Sequence, residues 1–251
     1  MELISLKYAI FVIVLLVLYY CFPKKYRWYV LLAGSMAYYV IICKWYVLFI
    51  IFTICTTYGS TIWIDKLLKE QNAIVKSHKE DWDRQTRKEY KEKGRKKRVA
   101  VMLFALLCNF GILAFLKYIP YAGELGLLLP LGISFYTFQS MGYVMDVYRE
   151  IVEPEKNFLK VALFVSFFPQ IIQGPIAIYD KLAGQLYEGH SLRLENLQKG
   201  ALLVLWGVMK KLVIADRAVN IINFVMDKPM DFSGTYVFFA AVVYACLLYT
   251  S

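Results

Sequence analysis

The order of apolar and polar positions divides this chain into long apolar runs that short polar junctions separate. The runs are apolar on every face, as in residues 10–18, and lack the alternation that would indicate the strands of a membrane barrel. An uncharged run of roughly 20 residues indicates a helix that crosses a bilayer. We therefore predict an all-α fold, a polytopic helical membrane protein that forms a single membrane-embedded domain over residues 1–251. The predicted helices cover residues 3–21, 28–42, 46–64, 99–116 and 131–149.

One uncharged run, residues 161–179, is long enough to cross a bilayer but contains Pro169, Gly174 and Pro175. Each proline removes a backbone donor and clashes with the preceding helical turn. The part before the first proline, residues 161–168, would span only about 12 Å of a hydrocarbon core that is about 30 Å thick. We therefore predict a broken or re-entrant element, with residues 169–175 non-helical, buried against other helices and lining a cavity.

The one strongly polar stretch, residues 65–98, holds thirteen Lys or Arg against seven Asp or Glu. We predict that it is a basic loop, and that it lies in the cytoplasm because basic loops are retained there. The basic residues 24–27 lie two helices earlier and therefore on the same side, which places the N-terminus outside. The basic loop has two interpretations, a contact surface for acidic lipid or an acidic protein, and a solvated determinant of topology.

Composition narrows the class of protein further. A mean hydropathy of +0.50 excludes an ordinary soluble domain, and the net charge of +10 lies between membrane segments, so no nucleic-acid partner is predicted. The five cysteines lie in or beside apolar runs without a C-x-x-C pair, which predicts small buried side chains and no metal site. His78 and His190 lie in polar segments and are predicted to be solvated.

The end of the chain is irregular. Residues 180–197 form an amphipathic pattern typical of an interfacial segment, interrupted at Gly189. Residues 200–226 are apolar but contain Lys210 and Arg217, whose spacing of seven would put them on one helical face. That face either borders a cavity or marks the cytoplasmic exit of a short span. The last apolar run, residues 236–249, is too short to span comfortably, and we interpret the chain as C-terminally truncated.

Four stretches together resemble a known family. They are LPLGISFYTFQ at residues 129–139, YVMDVYR at 143–149, FFPQ at 167–170 with GPI at 174–176, and GVMKKLVIADR at 207–217. In this order they resemble the membrane-bound O-acyltransferases, in particular the bacterial branch of alginate O-acetyltransferases and the D-alanyl transfer proteins of teichoic acid modification. Ile178 departs from the pattern, because relatives often carry arginine just after the Gly-Pro-Ile motif.

The resemblance implies a tunnel through the bacterial cell (cytoplasmic) membrane with multiple passes. An acyl group would come from a cytoplasmic thioester, acetyl-CoA or an acyl carrier protein, with no bound cofactor, and would reach a hydroxyl of an envelope or secreted polysaccharide. Implied partners are the lipid bilayer, the polysaccharide, and an acyl carrier protein or an extracytoplasmic acetyltransferase. The catalytic histidine that the family uses as a general base is expected beyond Ser251, so no catalytic residue is predicted in this chain.

The resemblance and the broken run together give the predicted site. The residues predicted to line the tunnel are Phe168, Pro169, Gln170, Gly174 and Pro175, with Gln139, Lys210 and Arg217 as further polar contacts. The FFPQ motif favours O-acetylation of the alginate type over the alternative within the family, D-alanyl transfer to teichoic acid. Two alternatives from other classes stay open, namely a membrane transporter or export subunit, and a structural membrane subunit whose broken helix serves packing alone.

Overall fold

A computed structural model describes residues 6–78, 82–118, 130–227 and 231–250. These residues form helices joined by short turns, and no strand occurs in the ranges described, which confirms the all-α prediction. The helices are α1 (Leu6–Cys21), α2 (Arg27–Cys43), α3 (Val47–Ser77), α4 (Arg84–Tyr118), α5 (Ile133–Tyr148), α6 (Phe158–Ser166), α7 (Phe168–Gln173), α8 (Tyr179–Tyr187), α9 (Leu194–Met209), α10 (Asp216–Met226) and α11 (Gly234–Thr250). They group into two compact units, Met1–His190 and Ser191–Ser251.

The core of the first unit lies where α3, α4 and α5 pack against one another. Ile50 and Ile54 of α3 and Val144 of α5 are almost completely buried there. Helix α2 packs against α6 and α8, and α1 packs against α2 at Gly34, where only a missing side chain leaves room for Leu15. The described helices of the first unit therefore form a bundle around α3, and the broken segment after α5 packs against this bundle.

The surfaces of the long helices indicate a membrane. The stretches Lys24–Ser77 and Arg84–Tyr118 are helical, long and apolar enough to cross a bilayer. Only 28% and 22% of their most apolar windows are buried, unlike the core helix of a soluble protein. Leu103, Phe104 and Leu107, for example, lie in an outward-facing apolar surface of α4. In water such a continuous surface would be unfavourable, whereas lipid accepts it.

The polar stretch between α3 and α4 corrects one prediction. Residues 65–98 were expected to form a loop, but α3 continues to Ser77 and α4 begins at Arg84, so most of the stretch is helical. Lys, Glu, Gln and Arg are good helix formers, and the i,i+4 ion pair of Asp65 with Lys69 supports the extension. Residues 79–81, between α3 and α4 in the sequence, lie outside the described residues. We call this pair of polar helix ends the basic hairpin.

The broken segment corrects a second prediction in part. Residues 169–175 were expected to be non-helical, yet α7 continues through Pro169 to Gln173. Proline at the first positions of a helix is favourable, because its missing N–H has no partner there in any case. The breaks lie at Phe167, where the backbone is extended, and from Gly174 onwards, where the chain runs without helix to Ile178.

The second unit contains α9, α10 and α11, of which α10 and α11 pack together. A π-helical stretch, Lys210–Ala215, joins α9 to α10 without interrupting the helix. The π turn is wider than the α turn, so it changes the register of the residues on either side. The single-domain prediction for residues 1–251 is not tested by this division and stays a prediction.

Candidate functional site

The break at Phe167 exposes two backbone groups, and neighbouring helices satisfy both. In a continuous helix the N–H of Phe168 would donate to the C=O of Phe164. Here the Phe164 carbonyl accepts a hydrogen bond of 2.8 Å from Nε2 of Gln139 on α5. The Phe168 N–H donates over 3.3 Å to Oγ of Ser35 on α2. Because unpaired backbone groups are costly away from water, these two side chains hold the break between α2 and α5.

A second contact joins the turn before α5 to α7. Gly132 has φ +70°, a left-handed conformation that glycine adopts without strain. A Cβ atom at this position would clash with the backbone oxygen and with Cγ2 of Ile171. Gly132 is therefore required both by its own backbone and by the close approach of α7. The first of the four motifs thus meets Ile171, the residue that directly follows FFPQ.

Phe168 is buried among aromatic rings. Its ring lies 5.3 Å from that of Phe11, 5.7 Å from that of Tyr38 and 6.2 Å from that of Tyr8, between ring centroids. Edge-to-face and tilted pairs at such distances stabilise by about 0.5–1.5 kcal/mol each beyond the area they bury. Phe168 thereby anchors the start of α7 to α1 and α2, and its role in lining a tunnel stays a prediction.

The other predicted lining residues of the first unit differ in exposure. Pro169, Gln170 and Gly174 are half-buried, and Pro175 is exposed. The Gln170 side-chain oxygen is buried without a hydrogen-bond partner among the described residues. Gln139 is buried, and its amide nitrogen is occupied by Phe164. The structure thus brings Gln139 to the break as a clamp, while a tunnel contact for these four residues and Gln139 remains a prediction.

A groove of about 390 Å³ lies beside the break. Phe167 forms one wall, Leu182 and Leu186 of α8 form a second, and α1 and α2 close it with mostly apolar side chains. His190 lies at its polar end. The backbone N–H of His190 donates to the hydroxyl of Tyr19, and its backbone carbonyl accepts from the guanidinium of Arg27. The sequence did not indicate Phe167 as a lining residue, because its position relative to α1 and α8 depends on contacts distant in sequence.

The two ends of the broken segment lie together. The hydroxyl of Tyr187, at the end of α8, donates over 2.9 Å to the carbonyl of Lys160 near the start of α6. Tyr179 stacks on Tyr143 of α5 at 4.2 Å between centroids. The segment from α6 to α8 therefore folds back on itself, while its re-entry into a membrane stays a prediction.

Lys210 and Arg217 lie in the second unit. Both are exposed, and the Lys210 ammonium lies 5.6 Å from the centre of the Trp206 ring. Their shared face was inferred from α-helical spacing, and the π-helical stretch that starts at Lys210 removes that premise. Their role as polar contacts of a tunnel stays a prediction.

The histidines agree with the sequence analysis. His78 is exposed and stacks on Trp82, and His190 is exposed at the end of the groove. Among the described residues no group of three or more His, Cys, Asp or Glu could hold a metal ion. The described part of the chain thus offers shaping and hydrogen-bonding groups around the break.

Comparison with known proteins finds relatives that are named as O-acetyltransferases or O-acetylases. The chain is 30% identical to the peptidoglycan O-acetyltransferase of Helicobacter pylori, over 59% of this chain and 35% of that protein. It is 40% identical to the probable alginate O-acetylase AlgI of Pseudomonas syringae pv. tomato, over 36% of this chain and 17% of that protein. The Azotobacter vinelandii protein of the same name is 33% identical, over 51% and 24% respectively.

The chain thus matches about a third, or less, of the length of these curated relatives. No family model matches the chain, and no solved structure matches it. The relatives nevertheless confirm the resemblance to bacterial O-acetyltransferases that the four motifs indicated.

Proposed function

We propose that this protein, which is similar to bacterial O-acetyltransferases of the membrane-bound O-acyltransferase type, transfers acetyl groups to hydroxyls of an envelope or secreted polysaccharide. The observation that carries the proposal is the similarity to proteins named for O-acetylation of two different polysaccharides, peptidoglycan and alginate. The donor is an acyl thioester on the cytoplasmic side, acetyl-CoA or an acyl carrier protein. The names of these relatives favour acetyl over D-alanyl transfer.

The broken segment supports this proposal through its position in the bundle. Irregular backbone at membrane depth is tolerated where protein or a water-filled cavity satisfies it. In this chain Gln139 and Ser35 satisfy it, and a groove opens beside Phe167. We assign the segment the role of shaping a substrate path, while proton transfer falls to a group outside it.

The proposed location is the bacterial cytoplasmic membrane, crossed several times, with the N-terminus outside. Two contacts support the sidedness. Arg98, at the foot of the basic hairpin, pairs with Glu150 at the end of α5 at 2.8 Å. Gly189 lies against the backbone of Lys24. The ends of α5 and of the re-entrant segment thus each meet a basic junction that the positive-inside rule assigns to the cytoplasm.

Cysteine labelling tests this topology. After the five native cysteines have been replaced by alanine, one variant carries Ser77→Cys at the tip of the hairpin and the other Trp45→Cys in the turn between α2 and α3. Both positions are exposed. We expect a membrane-impermeant maleimide to label Trp45→Cys in intact cells and Ser77→Cys only after permeabilisation. The reverse pattern would overturn the proposed sidedness.

Chemical analysis of the cell envelope tests the activity. We expect deletion of the whole gene to remove base-labile acetate from peptidoglycan or from a secreted polysaccharide, and the intact gene to restore it. Release of D-alanine in place of acetate would identify the alternative within the family. A fall in the amount of polymer at constant acetate per sugar would indicate an export subunit. Unchanged acetate in every polymer would refute the proposal.

Gln170 offers a test of the site that separates function from folding. Its side-chain oxygen has no partner among the described residues, so Gln170→Ala should change the stability by less than about 1 kcal/mol. If this oxygen contacts substrate, the loss of one hydrogen bond should lower acetylation about fivefold. Lys181→Ala, at an exposed position of α8 that does not line the groove, serves as the control and should leave acetylation unchanged. Full acetylation in Gln170→Ala would show that this side chain does not contact the substrate.

A further inference from the structure

The basic hairpin encloses a pocket that the acyl-transfer proposal does not use. Its volume is about 550 Å³, and it lies between α3, α4 and the end of α5. Leu68, Gln71 and Asn72 of α3 form one wall, and the cationic side of α4 forms the other. Glu150 closes the end nearest the apolar part of the bundle. The pocket is thus polar, although it begins where the membrane helices end.

The inner end of the pocket is built around Arg98. The residue is only 8% exposed, and its guanidinium donates over 2.8 Å to the carboxylate of Glu150. Glu150 reaches it from a left-handed backbone conformation, φ +61°, which costs a non-glycine residue about 1–3 kcal/mol. The Nε of Arg98 is buried and has no hydrogen-bond partner among the described residues. The pairing with Glu150 therefore leaves part of the guanidinium without an acceptor.

The wall opposite is held in place by Gln71. This side chain is buried, and its amide nitrogen donates over 3.0 Å to the backbone carbonyl of Lys91. A Cβ atom at Gly94 would clash with the Gln71 amide, so the glycine permits this close contact of α3 with α4. The Gln71 oxygen is buried and unpaired among the described residues. The pocket thus contains an unpaired donor, Nε of Arg98, and an unpaired acceptor, the Gln71 oxygen, among the described residues.

The charge of the pocket favours an anion. Lys88, Lys91, Arg95 and Arg98 follow one another at i, i+3, i+7 and i+10, which places them on one face of α4, the face that lines the pocket. The acidic lining residues are Glu92 and Glu150. Lys88, Lys91 and Arg95 are exposed, and none of them forms a salt bridge with a residue that the structure describes. Two positive charges therefore remain after every acid in the lining has been matched.

We propose that this pocket binds a phosphate-bearing ligand. A phosphate group offers several acceptor oxygens, which suit both the fork of an arginine and the point charge of a lysine. Four cations on one helical face can surround a diphosphate or two neighbouring phosphates more completely than they can a single carboxylate. This binding site is separate from the site of the proposed function, because none of its residues lies at the break or beside the groove.

The length of the pocket favours a soluble phosphate ester as the source. Lys88 lies eleven residues before Val99, where the apolar part of α4 begins, and hence about 16 Å along the helix from it. The headgroup layer of a bilayer is only about 5–8 Å thick on each side. A lipid phosphate would therefore reach Arg98 but not Lys88, whereas a soluble ester can contact the whole row.

Calorimetric titration with inorganic diphosphate tests the proposal, using the full chain in nanodiscs of phosphatidylcholine at a fixed low salt concentration. We expect saturable binding that Lys88→Gln with Lys91→Gln weakens at least about tenfold, because two charged donors are lost. The control, Lys93→Gln with Lys97→Gln, removes the same charge from exposed positions of α4 outside the pocket and should change the affinity less than about twofold. Circular dichroism of both double variants checks that the hairpin stays helical.

A second arm identifies the source of the phosphate. In discs that contain phosphatidylglycerol, an unchanged affinity for diphosphate supports a soluble ester, whereas at least about tenfold weaker apparent binding supports an anionic headgroup in the pocket. Equal weakening in the two double variants would show unspecific attraction to a basic surface and would overturn the proposal. Absence of saturable diphosphate binding by the unaltered chain, in discs of either composition, would overturn it as well.

Discussion

Replacing Gly132 by alanine is expected to destabilise the first unit by about 3 kcal/mol. The left-handed conformation costs an alanine about 1–2 kcal/mol, and insertion of a methyl group into a packed contact costs about 1–3 kcal/mol more. Here the added carbon would meet the backbone oxygen of Ile171, which cannot move by a change of rotamer. For a protein of this size the melting temperature in detergent should fall by about 6–12 °C. Fluorescence-detected size exclusion after heating measures this change.

Gly142 provides the matched control on α5. A Cβ atom there has no heavy atom within 4 Å, and the residue lies inside the helix. Gly142→Ala should leave the melting temperature unchanged or raise it slightly, because alanine is favoured over glycine in helices by about 1 kcal/mol. If both variants melted together with the unaltered protein, the contact between the turn before α5 and α7 would be absent from the folded protein.

The apolar runs predicted the helices in lipid well and the helices beyond it poorly. Helix α2 begins and ends within one residue of the predicted range 28–42, because tryptophan and charged residues mark the interface on both sides. The helical structure of the basic hairpin was not predicted, because hydropathy distinguishes segments in lipid from segments in water. It does not indicate whether a helix continues beyond the lipid. The signal that could have revealed it was intrinsic propensity, since the stretch is rich in Lys, Glu, Gln and Arg.

The broken segment shows what a sequence can and cannot predict about a site. Pro169 and Pro175 correctly indicated that one regular span was impossible, but the position of the kink at Phe167 depended on how proline starts a new helix. The side chains that pair with the backbone groups at the break could not be predicted from the sequence. Ser35 lies 133 residues before the N–H that it accepts from, and nothing local distinguishes it from an ordinary small residue of a membrane helix.

Gln139 was predicted as a polar contact in a tunnel, and its observed contact leads to the second large prediction. Gln139→Leu replaces the amide by a side chain of similar size and leaves the buried carbonyl of Phe164 without a donor. An unpaired buried group of this kind costs about 1–3 kcal/mol, and we expect about 2 kcal/mol here. The melting temperature should then fall by about 4–8 °C. Acetylation should fall with it, because the break is held by two side-chain clamps and one has been removed.

The neighbouring Ser140 separates a lost hydrogen bond from a mere loss of polarity. It is fully buried on the same helix, but its hydroxyl has no partner among the described residues. Ser140→Ala should therefore leave the stability unchanged or raise it, since it removes a buried polar group that nothing satisfies. The double variant Gln139→Leu with Ser35→Ala lacks both clamps of the same break. The two losses of stability should therefore deviate from additivity by at least about 0.5 kcal/mol. Strict additivity, or equal effects at Gln139 and Ser140, would show that these side chains do not hold the break.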